Sequence, residues 1–360
     1  MKKNYSSFSK TFKDKKVLVT GHTGFKGSWL LVWLKMLGAK TCGISNESLG
    51  PNSMFESLSL KDDILDLTLD VTHYEDLKKN ISDFKPDFIF HLAAQAIVKR
   101  SFFNPLETIR TNVMGPMNLL NSLKELEKKP ITVIITSDKV YKNNEWLWGY
   151  RENDILGGKD IYSGSKAASE LLIESYLQTF SQEDLGRIAV GRAGNVIGGG
   201  DWAENRIVPD TIKSWYKNKP VKIRMPKATR PWQHVLEPIS GYLTLAEKLS
   251  ENEELHSECF NFGPNTNEPG ISVEYLLNFI AEKWRLEIDP FISENEDANL
   301  ESGLLKLNCD KATELLQWRP ALSFEESCEL IVEWYKRFKE NPKEMENFTK
   351  NQILYYIENG

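Results

Sequence analysis

The 360-residue sequence predicts an α/β protein built on a doubly wound parallel sheet. Short apolar and β-branched runs alternate with helix-like segments from Lys16 to Arg192, and the first apolar run leads directly into a glycine-rich turn. The composition, 41% hydrophobic and 27% charged, is that of a folded chain. Strands that alternate with helices require right-handed crossovers, which place helices on both faces of a parallel sheet.

The predicted elements follow one another regularly in the amino-terminal half. Strands are expected at 16–20, 40–45, a segment that ends at Asp70, 87–93, 131–137 and 187–192. Helices are expected at 24–37, after a Thr72/Glu75 capping box, from Asn104 and Pro105 as cap and first residue, and at 162–179. The first helix is indicated by apolar side chains at three- and four-residue steps, the strands by β-branched runs.

The pattern changes after about residue 194. Gly- and Pro-rich stretches such as VIGGGDW and NFGPNTNEPG then separate helices at 236–249 and 273–284. We therefore expect a loosely ordered leader at 1–15, a Rossmann-like domain at 16–194, and a smaller mixed α/β region at 195–360. This last region is expected to bind substrate and to return some segments to the sheet.

Charge, hydropathy and cysteine usage exclude several classes of protein. With 45 basic and 51 acidic residues the net charge is −6, which argues against a nucleic acid partner. No stretch approaches the roughly 18 apolar residues of a membrane helix, and the lysine-rich amino terminus lacks the apolar core of a secretory signal. Four scattered cysteines predict reduced thiols in the cytosol. The histidines lack metal-ligand spacing, and His91 is expected to be a hydrogen-bonded core residue.

Gly21, Gly24 and Gly27 follow the first strand at a spacing of three. Glycines at such a turn allow close approach of the backbone to a pyrophosphate and close packing of helix on strand. Because the Gly-Lys-Ser/Thr ending of a P-loop is absent, the turn predicts a dinucleotide site, with an ordinary glycine-rich turn as the alternative. Ser45 and Asn46 end the second strand with no arginine nearby in sequence, which favours NAD over NADP.

Two further groups carry chemistry. Tyr162 and Lys166 lie four residues apart and share one helix face, and a tyrosine base near neutral pH needs its pKa lowered from about 10 to about 7. Ser137, Asp138 and Lys139 follow the fifth strand, at the carboxyl edge where parallel sheets place their chemistry. A hydroxyl, an acid and an amine can hold a substrate hydroxyl, protonate a leaving group and remove a proton. A solvated helix face and a polar surface turn are the structural alternatives.

These motifs resemble those of the extended short-chain dehydrogenase/reductase superfamily, in its NAD-dependent nucleotide-sugar epimerase/dehydratase family. The similar strings are GHTGFKGSWL, TSDKVY, WGYRENDILGG, RAGNVIGGGDW and RPWQHVLEPISGYL, and the likeness runs from about Lys16 to Tyr335. It is most specific for members that dehydrate CDP-glucose. The resemblance implies a cytoplasmic lyase that forms CDP-4-keto-6-deoxyglucose for deoxysugar and O-antigen polysaccharide synthesis, and a homodimer or homotetramer.

The resemblance also implies roles for individual residues. Tyr162, with Lys166, would deprotonate the hexose 4-hydroxyl that Ser137 orients; neutral Lys139 would take the carbon-5 proton, and protonated Asp138 would protonate the departing carbon-6 hydroxyl. Cofactor contacts are implied for Gly21, Thr23, Gly24, Phe25, Gly27, Asp70, Val71, Ala93, Gln95, Tyr162 and Lys166. Pyrophosphate contacts are implied for Arg230, with Asn195 and Arg206 as further candidates. The segment NESLGPNSMFESL departs from the family's proline-rich form.

Two alternative functions stay open at this point. One is a dehydratase or an epimerase for a TDP-, GDP- or UDP-hexose; the other is a non-catalytic NAD-binding regulator. An epimerase does not need an acid/base pair at Asp138 and Lys139, and a regulator has no need of the whole catalytic set. Selectivity for cytosine rests on the resemblance alone.

Overall fold

A seven-stranded parallel sheet forms the centre of the molecule. The computed structural model describes residues 8–47, 50, 52–265, 270–293 and 304–359. The strands are β1 (Lys16–Thr20), β2 (Lys40–Ser45), β3 (Leu65–Thr68), β4 (Phe88–His91), β5 (Ile131–Ile135), β6 (Ile188–Arg192), β7 (Val196–Ile197), β8 (Val221–Ile223), β9 (Thr229–Arg230), β10 (Gln233–His234), β11 (Cys259–Asn261), β12 (Ile271–Ser272) and β13 (Phe291–Ser293). The order in the sheet is β11-β6-β5-β4-β1-β2-β3, and the remaining strands form three short pairs.

Helices cover both faces of this sheet. They are α1 (residues 8–12), α2 (Phe25–Met36), α3 (Met54–Ser57), α4 (Tyr74–Phe84), α5 (Val98–Phe103), α6 (Pro105–Ile109), α7 (Gly115–Lys124), α8 (Ile161–Thr179), α9 (Gln182–Leu185), α10 (Ile207–Trp215), α11 (Leu236–Glu251), α12 (Val273–Trp284), α13 (Asp310–Leu316), α14 (Phe324–Glu340) and α15 (Met345–Asn359). A π-helical turn, Arg110–Met114, joins α6 to α7, and a 3-10 turn, Asp138–Val140, follows β5.

Alternation along each strand explains the two layers of helices. Val17 and Val19 of β1 pack into one apolar cluster with α2, α11 and α15, whereas Leu18 packs into a second cluster with α4, α7 and α8. Successive side chains of a strand point to opposite faces, so a strand that is apolar throughout is buried on both sides. The predicted doubly wound sheet is therefore confirmed.

The ends of several elements differ from the prediction. β5 stops at Ile135, and Ser137 instead caps the following 3-10 turn, where its hydroxyl accepts the Lys139 N–H. The predicted capping box at Thr72 and Glu75 is wrong. Asp70 Oδ1 accepts the Thr72 N–H at 2.8 Å, which holds the chain in a turn and delays the start of α4 until Tyr74.

The predicted loosely ordered leader is wrong for residues 8–12. These residues form α1, in which Phe8 and Phe12 are buried. The Phe12 ring lies 4.9 Å from the ring of Phe88, and the Phe8 ring meets Trp33 edge-on at 6.3 Å. Two aromatic residues four apart share one helix face, and their burial outweighs the many lysines around them.

The region after residue 195 is packed onto the sheet and is continuous with its core. α11 lies against β5 and β6, and β11 pairs parallel with β6 as an edge strand of the sheet. The ring of Tyr356 in α15 meets Trp33 of α2 at 5.7 Å. Buried side chains from both sides of residue 195 thus form one cluster. The division into two domains at this residue stays a prediction.

The described residues include no helix that is both long and apolar enough to span a membrane. The four cysteines are free; Cys42, Cys309 and Cys328 are buried, and Cys259 is half-buried.

Candidate active site

One cleft of about 1180 Å³ lies at the carboxyl edge of the sheet. It is bordered by the chain just beyond β1, β2, β4, β5 and β6, where parallel strands bring their following residues together. Every residue that the sequence analysis proposed for the site lines this cleft: Gly21, Thr23, Gly24, Phe25, Gly27, Asp70, Val71, Ala93, Gln95, Ser137, Asp138, Lys139, Tyr162, Lys166, Asn195, Arg206 and Arg230.

The glycine turn forms one end of the cleft. Gly21 has a φ of +72°, and a Cβ there would lie 2.8 Å from the backbone nitrogen of Ala93. A Cβ on Gly27 would lie 2.3 Å from the carbonyl oxygen of Gly21, so α2 packs directly on the turn. Gly24 takes the N-cap position of α2. The bare helix terminus, with its positive dipole end facing the cleft, fits the pyrophosphate of a dinucleotide.

The loop after β2 closes the wall beside this turn. Ser45 Oγ accepts the Thr23 N–H at 3.3 Å, and the Thr23 hydroxyl donates to the carbonyl of Glu47 at 3.0 Å. The expectation that no arginine lies near this wall holds in sequence but is wrong in space. Arg100 of α5 lines the cleft and lies 4.0 Å from Glu47, and it also donates to Glu107. Two carboxylates thus surround its charge.

The histidines near the cleft are structural. His91 Nδ1 is hydrogen-bonded to the Thr20 hydroxyl at 2.8 Å, and burial lowers the pKa of His91 to about 3, so the ring is neutral. This confirms the prediction of a hydrogen-bonded core residue. His22 Nε2 lies 2.8 Å from Asp66 Oδ1, and its ring packs on Gly43. Within the described ranges, no three His, Cys, Asp or Glu side chains are grouped to hold a metal ion.

Asp138 is the most enclosed group of the catalytic triplet. Its Oδ1 accepts from the Ser137 hydroxyl at 3.0 Å and from Lys139 Nζ at 3.4 Å, and its Oδ2 accepts from Asn195 Nδ2 at 2.8 Å. The Asp138 side chain is 0% exposed and that of Lys139 is 33% exposed. A surface turn with a solvated ion pair is therefore excluded. An acid and an amine face each other at the wall of the cleft.

Gly194 provides the space that Asp138 occupies. A Cβ on Gly194 would lie between 1.8 and 2.0 Å from the atoms of the Asp138 carboxyl group. Such distances are far below van der Waals contact, and the short side chain of Asp138 has no free end that could move aside. The absence of a side chain at Gly194 therefore allows the Asp138 carboxyl group to occupy this position.

α8 carries Tyr162 and Lys166 into the cleft. The helix starts after Asp160, whose carboxylate caps the Ser163 N–H at 2.9 Å. Tyr162 and Lys166 are both buried. Burial raises the pKa of Tyr162, and the Asp138 charge raises it further, whereas Lys139, the Ser137 hydroxyl and Arg206 act to lower it. The lowered pKa expected for this tyrosine is thus not produced by the protein alone.

Lys26 is a group in the cleft that the sequence reasoning missed. It follows Phe25 inside the glycine turn, and its Nζ lies 3.4 Å from the hydroxyl of Tyr242. Burial and, after it, the positive charges of Lys166 and Arg206 lower the pKa of Lys26 to about 7. A cationic residue between Gly24 and Gly27 was the available signal. It adds a group that changes charge near neutral pH to the cofactor end of the cleft.

Asn112 is a second residue that the sequence reasoning missed. It lies in the π-helical turn between α6 and α7, and its side chain accepts the Gln95 N–H at 2.8 Å. Its amide donates to the carbonyl of Gln95 at 3.1 Å and to the Ser165 hydroxyl at 3.0 Å. Asn112 therefore ties the loop after β4 to α8, next to Tyr162. π-turns in helices often occur at functional sites.

The carboxyl-terminal region contributes further cations to the cleft. Arg206 is held by Asp201, 2.9 Å from Nη1 to Oδ2, and Arg230 lies in the short pair formed by β9 and β12. Both line the cleft. Asn195 also lines the cleft, and its amide donates to Asp138 Oδ2; a contact with the pyrophosphate stays a prediction.

Comparison with known proteins agrees with this geometry. The family model described as GDP-mannose 4,6 dehydratase matches residues 18–331. A CDP-glucose 4,6-dehydratase of Salmonella typhimurium is 42% identical over 331 residues, which cover 90% of this chain and 91% of that protein. The chain belongs to the GDP-mannose 4,6-dehydratase family. The family resemblance inferred from the sequence is therefore confirmed.

Solved structures share the fold of this chain at lower identity. A UDP-glucose 4-epimerase of Thermotoga maritima with UDP-glucose has a TM-score of 0.78 at 24% identity, covering 90% of this chain and 99% of that chain. A dTDP-glucose 4,6-dehydratase of Bacillus anthracis in complex with NAD has a TM-score of 0.76 at 20% identity, covering 91% and 98%. At these identities the likeness supports the doubly wound fold.

We predict that Gly194→Ala lowers turnover of the nucleotide-sugar substrate at least about 100-fold, because the new methyl group displaces the carboxyl group of Asp138 and loss of a general acid costs 10²–10⁴-fold. Steady-state kinetics checks this, with thermal unfolding to show that the variant is folded. The matched control is Gly164→Ala in α8, where a Cβ meets nothing within 4 Å. Wild-type turnover in the folded Gly194→Ala variant would contradict the assignment of Asp138.

Proposed function

We propose that this protein dehydrates CDP-glucose to CDP-4-keto-6-deoxyglucose, using NAD, and so supplies deoxysugar and O-antigen polysaccharide synthesis in the cytoplasm. The observation that carries the proposal is the contact between buried Asp138 and half-buried Lys139, which share the cleft with Tyr162. An epimerase needs no such acid and base. The choice of CDP-glucose follows the 42% identity to the Salmonella typhimurium enzyme.

The cleft supports NAD as the cofactor. The glycine turn and the start of α2 would hold the pyrophosphate, Asp70 and Val71 the adenosine end, and Tyr162 with Lys166 the nicotinamide end. The Glu47 and Glu107 carboxylates around Arg100 make this wall unfavourable for the extra phosphate of NADP. NAD, when bound, supplies a reversible hydride acceptor for carbon 4 of the sugar and a donor for carbon 6.

Ser137 and Tyr162 act on the 4-hydroxyl of the sugar. The Ser137 hydroxyl lies beside Tyr162 and can hold the 4-hydroxyl in place while Tyr162 takes its proton. Burial holds the pKa of Tyr162 above its usual value in the protein alone, so this transfer needs a further positive charge close to the phenol. The resulting ketone at carbon 4 acidifies the proton on carbon 5.

Lys139 and Asp138 then carry out the elimination. Transfer of one proton from the Lys139 ammonium to the Asp138 carboxylate gives an amine and a carboxylic acid without changing the net charge of the pair. The elimination starts from that neutral pair. Lys139 takes the carbon-5 proton, Asp138 protonates the carbon-6 hydroxyl, and water leaves. The pair returns to the ionic form, and Asn195 and Ser137 stabilise the carboxylate that remains.

Arg206 and Arg230 would bind the pyrophosphate of the substrate. Both line the end of the cleft that the carboxyl-terminal region builds, and the Asp201 carboxylate fixes the direction of the Arg206 guanidinium. Guanidinium groups offer paired donors that match phosphate oxygens. A chain with a net charge of −6 thereby presents a local cationic site to a doubly charged ligand.

We predict that CDP-glucose deuterated at carbon 4 yields product with deuterium on its carbon-6 methyl group, because the oxidation is internal and reversible. The purified protein is incubated with CDP-, TDP-, GDP- and UDP-hexoses; the 4-keto product is followed by its absorbance in alkali and the label by mass spectrometry. Faster turnover of another nucleotide sugar would replace the substrate. Product without label would overturn the mechanism, and turnover of none would favour the NAD-binding regulator.

We predict that Lys139→Met slows dehydration at least about 100-fold and changes the affinity for CDP less than about threefold, since the lysine acts as a base rather than as a binding group. Calorimetric titration with CDP and single-turnover kinetics separate the two effects. Lys159→Met, at an exposed lysine on the rim of the same cleft, is the control. An equal loss of binding and rate would show a structural lysine.

We further infer that the protein forms a homo-oligomer through α6 and α8. These packed helices expose large apolar side chains on the surface: Leu106 is 67% exposed, Ile109 41%, Leu171 51% and Leu172 42%. Phe103, at the end of the preceding helix, is 74% exposed. Contiguous apolar surface of this kind marks a protein interface, and a second copy that presents the same surface closes it with twofold symmetry.

We predict that Leu106→Glu combined with Leu171→Glu converts the oligomer to monomers at micromolar concentration, because the added carboxylates would lose their hydration in the closed interface. Light scattering coupled to size-exclusion chromatography gives the mass. Leu315→Glu, at a leucine of α13 that is 52% exposed, is the control and leaves the mass unchanged. An unchanged mass in the double variant would place the interface elsewhere.

A further inference from the structure

A buried ion pair lies directly behind the catalytic cleft. The side chains of Glu170 and Arg192 are each 4% exposed, and Arg192 Nε donates to both carboxylate oxygens of Glu170, at 3.0 and 2.7 Å. Arg192 Nη2 also donates to the same carboxylate. A buried pair of charges gains little stability over well-packed apolar side chains, because both ions lose their hydration. Stability alone therefore does not explain why the pair is there.

The pair joins the three segments that carry the catalytic residues. Glu170 lies on α8, one turn after Lys166, and its carboxylate also accepts the hydroxyl of Thr136, the residue before the catalytic triplet. Arg192 ends β6, three residues before Asn195, which holds Asp138. The Glu170 carboxylate is thus hydrogen-bonded to residues at the ends of β5 and β6, and it belongs to α8, the helix that lies between these two strands in the sequence.

The far side of Arg192 fixes the chain beyond the triplet. Its Nη1 donates to the Tyr141 hydroxyl at 2.8 Å and to the carbonyl of Glu152 at 2.8 Å. The Tyr141 hydroxyl in turn donates to Asn261 Oδ1 at 2.7 Å. Tyr141 directly follows the 3-10 turn that contains Asp138 and Lys139, so Arg192 fixes that turn from its exit.

Lys166 needs a nearby negative charge to stay protonated. Burial lowers its pKa to about 8, and the Glu170 carboxylate acts in the opposite direction. The other groups that face it are Lys26 from α2, which it repels, and His91 from β4, which is neutral. Tyr162 shares its helix face, and Lys139, Asp138 and Arg206 lie further along the cleft.

We propose that Glu170, fixed by Arg192 and Thr136, is a positioning residue that acts through Lys166: it holds α8 in register with the ends of β5 and β6 and so sets where Lys166, one turn earlier on α8, stands in the cleft. The proposal rests on the proposed function, because Lys166 is assigned there to the nicotinamide end of the cleft. Glu170 itself does not line the cleft among the described residues, so its influence passes through its neighbours.

The test compares two ways of removing the carboxylate. Glu170→Gln leaves the Arg192 charge buried without its counter-ion and risks unfolding, so Glu170→Gln with Arg192→Met removes both charges together. Glu170→Asp keeps the carboxylate on a shorter stem and serves as the conservative rescue. Glu174→Gln is the matched control, because Glu174 is exposed one turn further along α8 and bonded to Gln178. Thermal unfolding is measured for each variant.

The first readout is the dissociation constant for NAD between pH 6 and 9, from quenching of tryptophan fluorescence without substrate. Loss of the carboxylate lowers the pKa of Lys166. The protonated fraction of Lys166 at pH 8 therefore falls, and NAD binding at that pH weakens. The alkaline midpoint of binding moves to lower pH in both glutamine variants, and Glu170→Asp restores it at least in part.

The second readout is the pH profile of kcat with CDP-glucose, whose alkaline limb moves in the same direction. Variants that lose thermal stability but keep the wild-type midpoints for NAD binding would overturn the proposal and show a purely structural pair. If no nucleotide sugar is turned over, the proposed function fails, and the NAD titration still decides the role of Glu170.

Discussion

The site depends on how the fold holds the Asp138 carboxylate away from water. Burial of such a group is costly unless donors satisfy it, and here three donors come from two segments: Ser137 and Lys139 after β5, and Asn195 after β6. Gly194 leaves the space in which the carboxyl group fits. Two of the donors, Ser137 and Lys139, are also groups that the proposed chemistry needs, so the interactions that make burial possible also bring together the proposed acid, base and hydroxyl.

Parallel pairing of the strands explains why residues so far apart in sequence meet. β5 and β6 are neighbours in the sheet, so the chain that follows each strand emerges at the same edge. The order of strands reverses between β1 and β4. The segments that follow these two strands lie so close together that only glycine fits at position 21, beside Ala93. The order of the strands therefore determines which loops form the proposed cofactor site and which form the proposed catalytic site.

Local patterns in the sequence were sufficient for elements whose signal is continuous. β1 and β2 have the predicted bounds, and the glycine turn, the triplet and the Tyr162/Lys166 pair all reach the cleft. The failures share a cause, since each depends on a partner distant in sequence. Phe12 is ordered by Phe88, and Arg100 meets Glu47 across the cleft. The wrong start of α4 has a different cause. The Asp70 carboxylate accepts a hydrogen bond from the Thr72 N–H, and the spacing of Thr72 and Glu75 does not reveal this local alternative to a capping box.

The cationic side chains of the cleft repel one another when no ligand is bound. Burial, together with the charges of Lys166 and Arg206, lowers the pKa of Lys26 to about 7. A lysine with a lowered pKa destabilises the fold while it is charged, so its contribution to stability improves as the pH rises from about 7 towards the pKa of about 10.4 in the unfolded chain. An anionic pyrophosphate at the glycine turn reverses this repulsion and favours proton uptake by Lys26. The repulsion between these cations is therefore relieved when an anion lies between them. Without the anion, the packing of the apolar core beneath the cleft holds the cations in place.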